Sequence, residues 1–311
     1  MAPVRSDDED SWHGDQRGGG VSAGPSLLLA VLGSGEAFSR RYGTTCSVLT
    51  LPGGARWLID CGRQAPDQLA REGIGWHQLE GQPITHVHGD HVYGLEEFAF
   101  VRYYCGGDGL DAVMKGGARP KLMAHGAVCA ELWEVLGPSL RYRSDASGNP
   151  VAGELSDYFE RLAPVRIEPP SRAAWNHVEV FRSGELDVVA RETRHVHGKP
   201  CTSFEIGLPG TNGRCAWWSG DSVVDAELLQ RLSARTSVFF HDCTFSEFPG
   251  QVHGLFSDFE KLPASLRDKI VLMHHEDALE QYRPRAESLG FRLALPGDVF
   301  NLYDGARLRR G

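Results

Sequence analysis

The chain has 311 residues, with 32 basic against 41 acidic side chains and a formal net charge of -9. That balance leaves no footprint for wide nucleic-acid binding, which needs a basic face or a high pI, while 41% hydrophobic residues suffice for a sizeable core. No run of about 18 apolar residues marks a membrane span, and the acidic, glycine-rich start lacks the basic head and apolar centre of a signal peptide; a soluble, cytoplasmic protein is expected.

Residues 1–25 carry too little apolar surface to offset ordering entropy and read as a disordered tail, so one folded domain, 26–311, is expected to begin near Leu27. The run "LLLAVLGSGEAF" reads as a buried strand ending in a tight turn at Gly33-Ser34-Gly35. "SVLTLPGGARWLIDCG" predicts a hairpin broken at Pro52-Gly53-Gly54, with Asp60 where its second strand ends. A helix through "PDQLAREG" and a strand at "PITH" then lead into "ITHVHGDHVYG", and "GLEEFAFVRYYC" has helical spacing. The stretch 106–175 is heterogeneous, with one helical segment, "AVCAELWEVL", and a loop at "RYRSDASGNP"; it is expected to be a cap or substrate-facing insertion. From Glu179 strand signals return in "VEVF", "LDVVARETR", "TSFEIGL", "CAWWSG", "SVFFHDC" and "KIVLMHH", with helices around "DAELLQRL", "DFEKL" and "DALEQYRPRAESL". This order predicts an α/β protein of two strand-rich halves packed sheet on sheet with helices outside. The cysteines at 46, 61, 105, 129, 201, 215 and 243 are odd in number and form no C-x-x-C pair, which indicates reduced thiols, mostly in the core.

The pattern His86-x-His88-x-Asp90-His91 would arise by chance about 10⁻³ times in a chain of this composition. In extended backbone His86 and His88 face the same way, and Gly89 permits a turn that brings Asp90 and His91 to that side. Imidazole and carboxylate together suit zinc, iron or manganese, with room for two ions. Further candidates stand at strand ends: His195 and His197, Asp221, His241 and Asp242, His253, and the pair His274 and His275. A carboxylate placed as Asp221 is, after an apolar run and Gly220, suits a bridge between two cations.

With these residues in order, "LGSGEAF", "LIDCG", "THVHGDHVYGLEEF", "TRHVHGKPCTSFEIG", "WWSGDS", "HDCTF" and "VHGLFSDFEKLPASLRDKIVLMHH", the chain resembles the metallo-β-lactamase-fold hydrolases, above all their ribonuclease Z-like branch, from about Leu27 to Asp304. The resemblance implies a four-layer αββα sandwich with two metals at one edge. One metal would be held by His86, His88 and His195, the other by Asp90, His91 and His274, with Asp221 bridging; His197 and His275 stand as alternatives to His195 and His274. Asp60 would orient a ligand histidine, with His241 expected beside it in that outer layer. Asp90 and His253 would act in catalysis, His253 by giving a proton to the leaving oxygen or stabilising charge there.

The sequence departs from that branch in two places. Trp218 stands where an acidic partner for the histidine is found, which leaves the proton relay without its acid. The interval between His195 and Asp221 is too short for a transfer-RNA-gripping arm, so a small substrate is expected, a phosphodiester or nucleotide, with no extended nucleic acid, no membrane and, as an allowed assembly, a homodimer. Arg102, Tyr103, Tyr104, Arg141, Tyr142 and Arg143, folded over the metals, would bind a phosphate or stack on a base. The leading expectation is a dinuclear hydrolase, with zinc ahead of iron or manganese, acting on a phosphodiester or related ester. A diiron redox enzyme and a metal-stabilised binding or regulatory protein without turnover are the alternatives.

Overall fold

Residues 26–104, 119–145, 147–170, 177–209 and 215–311 are described by a computed structural model of the protein. The tail 1–25 and Cys105 lie outside them. Among the described residues the strands form two large sheets and one small hairpin. The first sheet runs, edge to edge, through Arg307–Arg309, Val299–Asn301, Leu28–Gly33, Cys46–Thr50, Arg56–Ile59, Leu79–Pro83, Lys121–Met123 and Glu160–Arg161. The second runs through Arg292–Leu293, Ile270–Met273, Val238–Asp242, Ala216–Trp218, Thr202–Gly207, Leu186–Glu192, Val178–Ser183 and Arg166–Glu168.

Alternation along each strand creates the layers. Leu29, Val31, Leu49 and Trp57 of the first sheet share one buried cluster with Val188, Phe204, Trp218 and Phe240 of the second, so the two inner faces pack on each other. The intervening residues turn outward. Val48 and Leu58 meet Phe98 and Leu132, from the helices Leu95–Tyr104 and Gly126–Leu140. On the far side Trp217, Phe239 and Leu272 meet Leu229 of helix Ala226–Leu232 and Leu279 of helix Leu279–Ser288. This is the αββα sandwich expected from the sequence.

Within the segment 106–175, described residues add two short strands to the first sheet. Lys121–Met123 pairs in parallel with Leu79–Pro83, and Glu160–Arg161 pairs in parallel with Lys121–Met123. These strands are two or three residues long, too short for a period-two pattern to be visible. Of the expected loop, Tyr142–Ser144 and Pro150–Ala152 form the small hairpin.

Three of the six arginines and tyrosines expected to face a substrate, Tyr103, Tyr104 and Arg143, engage one another. Arg102 donates to the Trp76 carbonyl at 3.2 Å, and Arg143 lies over the ring of the buried Tyr103 and pairs with Asp157 at 3.0 Å. Tyr104 meets Tyr103 edge-on, while Tyr142 is exposed. Trp218 likewise serves the core, packed on Phe240 with ring centroids 5.8 Å apart. Trp218→Ala is expected to cost about 3–5 kcal/mol of stability in urea denaturation, against less than about 0.5 kcal/mol for Tyr142→Ala. Equal midpoints for the two variants would contradict this placement of the tryptophan.

Candidate metal centre

Each sheet contains a parallel set of strands, whose carboxyl ends emerge at one edge. Asp60 follows Arg56–Ile59, His86 follows Leu79–Pro83, Asp221 follows Ala216–Trp218, Asp242 closes its strand, and His274 follows Ile270–Met273. Asp60 and His274 hold left-handed backbone, at φ 56° and 57°, a conformation that costs such residues free energy and that neighbouring contacts must stabilise. His88 remains extended and caps the short helix Gly89–Val92, so Asp90 and His91 reach the site from its first turn. Gly62 sits so close that a Cβ there would meet the Asp90 carbonyl oxygen at 1.9 Å.

Two groups converge. In the first, His88 Nδ1 lies 3.0 Å from His86 Nε2 and 3.2 Å from His195 Nε2. In the second, Asp90 Oδ2 lies 3.3 Å from His91 Nε2 and 3.2 Å from His274 Nε2. Asp221 stands between them: Oδ2 is 3.7 and 3.9 Å from the Nε2 atoms of His86 and His195, and Oδ1 is 3.2 and 3.4 Å from those of His91 and His274. The far nitrogens of the rings are tied. Asp60 takes the Thr85 N–H and hydroxyl, both at 2.8 Å, and holds His91 Nδ1 at 2.9 Å. His195 Nδ1 donates to the Val252 carbonyl at 3.2 Å, and His274 Nδ1 is 3.3 Å from Asp242 Oδ1. Such outer contacts fix the tautomer and orientation of ligating imidazoles.

The donor set fits cations. Ligand atoms about 2.0–2.1 Å from one tetrahedral ion stand about 3.3 Å apart, close to the nitrogen–nitrogen spacings here. His91 Nε2 and Asp221 Oδ1 are buried without hydrogen-bond partners. The electrostatics show carboxylates that call for positive charge. Burial lowers His86 well below the usual imidazole range, with the neighbouring His91 adding to it, so its lone pair is available. For His91 burial acts downward, but Asp221, Asp90 and Asp60 outweigh it and raise the pKa well above normal. Asp221 is held well below the carboxylate range because His274, His91 and His86 overcome its burial.

The remaining candidates separate. His197 is exposed on the loop carrying His195. His275 is buried away from the groups, its Nε2 3.1 Å from the Ala294 carbonyl oxygen. His241 is corrected by alternation: it shares the outer face with Phe239, against Phe259 and Trp217, and its Nδ1 meets the Asp242 carbonyl oxygen at 2.8 Å. Its neighbour Asp242 turns inward instead. There Asp242 Oδ2 holds His253 Nδ1 at 2.8 Å, and the His253 ring lies 5.1 Å from that of His274, nearly parallel. Asp242 is thus the carboxylate that pairs with His253, a pairing Trp218 cannot make. The inward parity of Val238 and Phe240 is the signal that could have found it. A separate trio, His125, His177 and Glu179, closes the start of helix Gly126–Leu140: His125 Nδ1 accepts the Ala127 N–H at 3.2 Å and Glu179 accepts that of Gly126 at 3.1 Å. Beside the centre, Glu192 to Pro200 line a cavity of about 580 Å³.

Fold and donor groups together define a metallo-β-lactamase-fold protein with His/Asp groups that could hold metal. YhfI of Bacillus subtilis, a protein of that fold, superposes with a TM-score of 0.63 at 13% identity, covering 89% of this chain and 99% of its own. The short form of human tRNase Z gives 0.57 at 18%, covering 88% and 99%. The family described as Anti-Pycsar protein Apyc1 matches residues 27–294, and the chain belongs to that family. The Anti-Pycsar protein Apyc1 of Bacillus phage 010DV004 is 30% identical over 279 residues, covering 89% of this chain and 99% of the relative; that of Paenibacillus harenae is 31% identical over 260 residues, covering 83% and 94%. Among the described residues no helix is long and apolar enough to cross a membrane.

Elemental analysis of purified protein is expected to show metal in the wild type and in His197→Ala, and a sharp loss in Asp221→Ala. Chelation is expected to lower the melting temperature of the wild type, because buried carboxylates lose their counter-charge. Equal metal in all three proteins would refute the assignment of Asp221.

Proposed function

We propose that this chain is a dinuclear metal-dependent phosphodiesterase that opens the cyclic phosphodiester of a small nucleotide. The observation that carries this reading is Asp221, whose two oxygens each address a different donor group. His86, His88 and His195 would hold one cation and Asp90, His91 and His274 the other, with zinc favoured by the imidazole-rich set and iron or manganese the alternatives. When bound, two such cations polarise a phosphoryl group and make water a better nucleophile. The designation of the relatives as Anti-Pycsar proteins supports a cyclic nucleotide as the phosphodiester, and the short loop from His195 to Asp221 suits a compact substrate.

Asp90 would accept the proton that attacking water loses. With His253 Nδ1 committed to Asp242, Nε2 is the nitrogen free to give a proton to the departing ester oxygen. Water adds to phosphorus, the phosphorus–oxygen bond of the ring breaks, and the freed hydroxyl takes the His253 proton. Burial works against a charged His253, but the carboxylate and hydrogen bond of Asp242 outweigh it and raise its pKa above the ordinary imidazole value. The acid form therefore persists to higher pH and is lost as pH rises through that raised value.

Metal-loaded wild type is expected to hydrolyse 3′,5′-cyclic nucleotides and bis-p-nitrophenyl phosphate, with activity reduced at least about a hundredfold in His253→Ala. In Asp242→Asn the alkaline limb of kcat/KM should move down by about one pH unit. No turnover of any phosphodiester would end the proposal, and an unmoved limb would remove His253 as the acid.

A further inference from the structure

The loop between strands Leu186–Glu192 and Thr202–Gly207 delivers His195, and beyond it carries a cation that the ligand set does not use. Gly198, at φ 81°, lets the chain turn back with the Lys199 N–H on the Val196 carbonyl at 3.1 Å. Two residues on, Cys201 forms an antiparallel bridge with His86. Lys199 and His195 line the same cavity.

Lys199 is restrained as well as close. Its Nζ is 3.0 Å from Glu131 Oε2 on helix Gly126–Leu140, with the two side chains 21% and 30% exposed. An ammonium has three N–H donors, and one of them serves Glu131. Among the described residues, Lys199 and Arg194 are the lysine and arginine that line the 580 Å³ cavity. Arg194 is exposed, so binding must pay its full ordering entropy; the Lys199 stem is already fixed. Arg102 and Arg143 are engaged on the outer helix layer.

We propose that Lys199 anchors a non-bridging phosphate oxygen of the substrate and that Glu131 is the positioning residue that holds its ammonium at the cavity wall. This rests on the phosphodiesterase reading above, and it adds the group that recognises the anion independently of the cations.

The test titrates metal-loaded, full-length protein with inorganic phosphate and follows hydrolysis of 3′,5′-cyclic AMP, for the wild type and for Lys199→Ala, Lys199→Gln, Lys199→Arg and Glu131→Gln. Loss of the ammonium in the first two should weaken phosphate about tenfold and raise KM by a similar factor with kcat near that of the wild type. Lys199→Arg should recover most of the affinity, and Glu131→Gln should lose about threefold. A purely structural ion pair would instead lower the melting temperature of the Lys199 and Glu131 variants alike and leave phosphate affinity unchanged. Phosphate binding at wild-type strength in Lys199→Gln with its metal intact overturns the proposal. If the wild type opens no cyclic nucleotide, the phosphodiesterase reading fails while the phosphate titration still decides the role of Lys199.

Discussion

Four buried carboxylates, Asp60, Asp90, Asp221 and Asp242, crowd one edge of the sandwich, and the rest of the site is arranged to meet that charge. Removing a carboxylate from water costs several kcal/mol unless it is paired and hydrogen-bonded. Each of these four is answered by imidazole, by backbone N–H groups or by a hydroxyl. A hydrophobic core alone would not place charges so; the edge is built against the solvation preference of its own side chains, which is the mark of a site kept for chemistry.

The same edge is where the sheets are stitched. Thr85 accepts both the backbone N–H and the hydroxyl of Thr202 at 2.9 Å, His86 bridges to Cys201, and Gly35 bridges to His275. Donor residues from both sheets are therefore held in one frame rather than on two sliding layers. Asp60 shows the economy of the arrangement: one carboxylate fixes the backbone leading into the histidine motif and the ring of His91.

Much of this was legible in the sequence. The dense His86-to-His91 motif announced a cluster of groups that could hold metal, and the period-two strands announced two packed sheets. What failed did so for physical reasons. His241 and Asp242 are neighbours in an apolar strand, and only the face taken by Val238 and Phe240 decides which of them turns inward. Lys121–Met123 is too short to carry a pattern, so its place in the sheet is not legible in the sequence. Arg143 and Tyr103 have the chemistry of a phosphate and base site, but tertiary packing joins them to each other. Lys199 and Glu131 are far apart in sequence, and no local rule pairs them.

The left-handed backbone at Asp60 and His274 has a bearing on how such sequences drift. Glycine would relax either position, and asparagine would sit more easily at both. Contacts hold both residues in place, Thr85 and His91 on Asp60 and Asp90 and Asp242 on His274. A descendant released from the chemistry would gain stability by exchanging them, so these two positions, rather than the histidine motif itself, are where abandonment of the site would first be written.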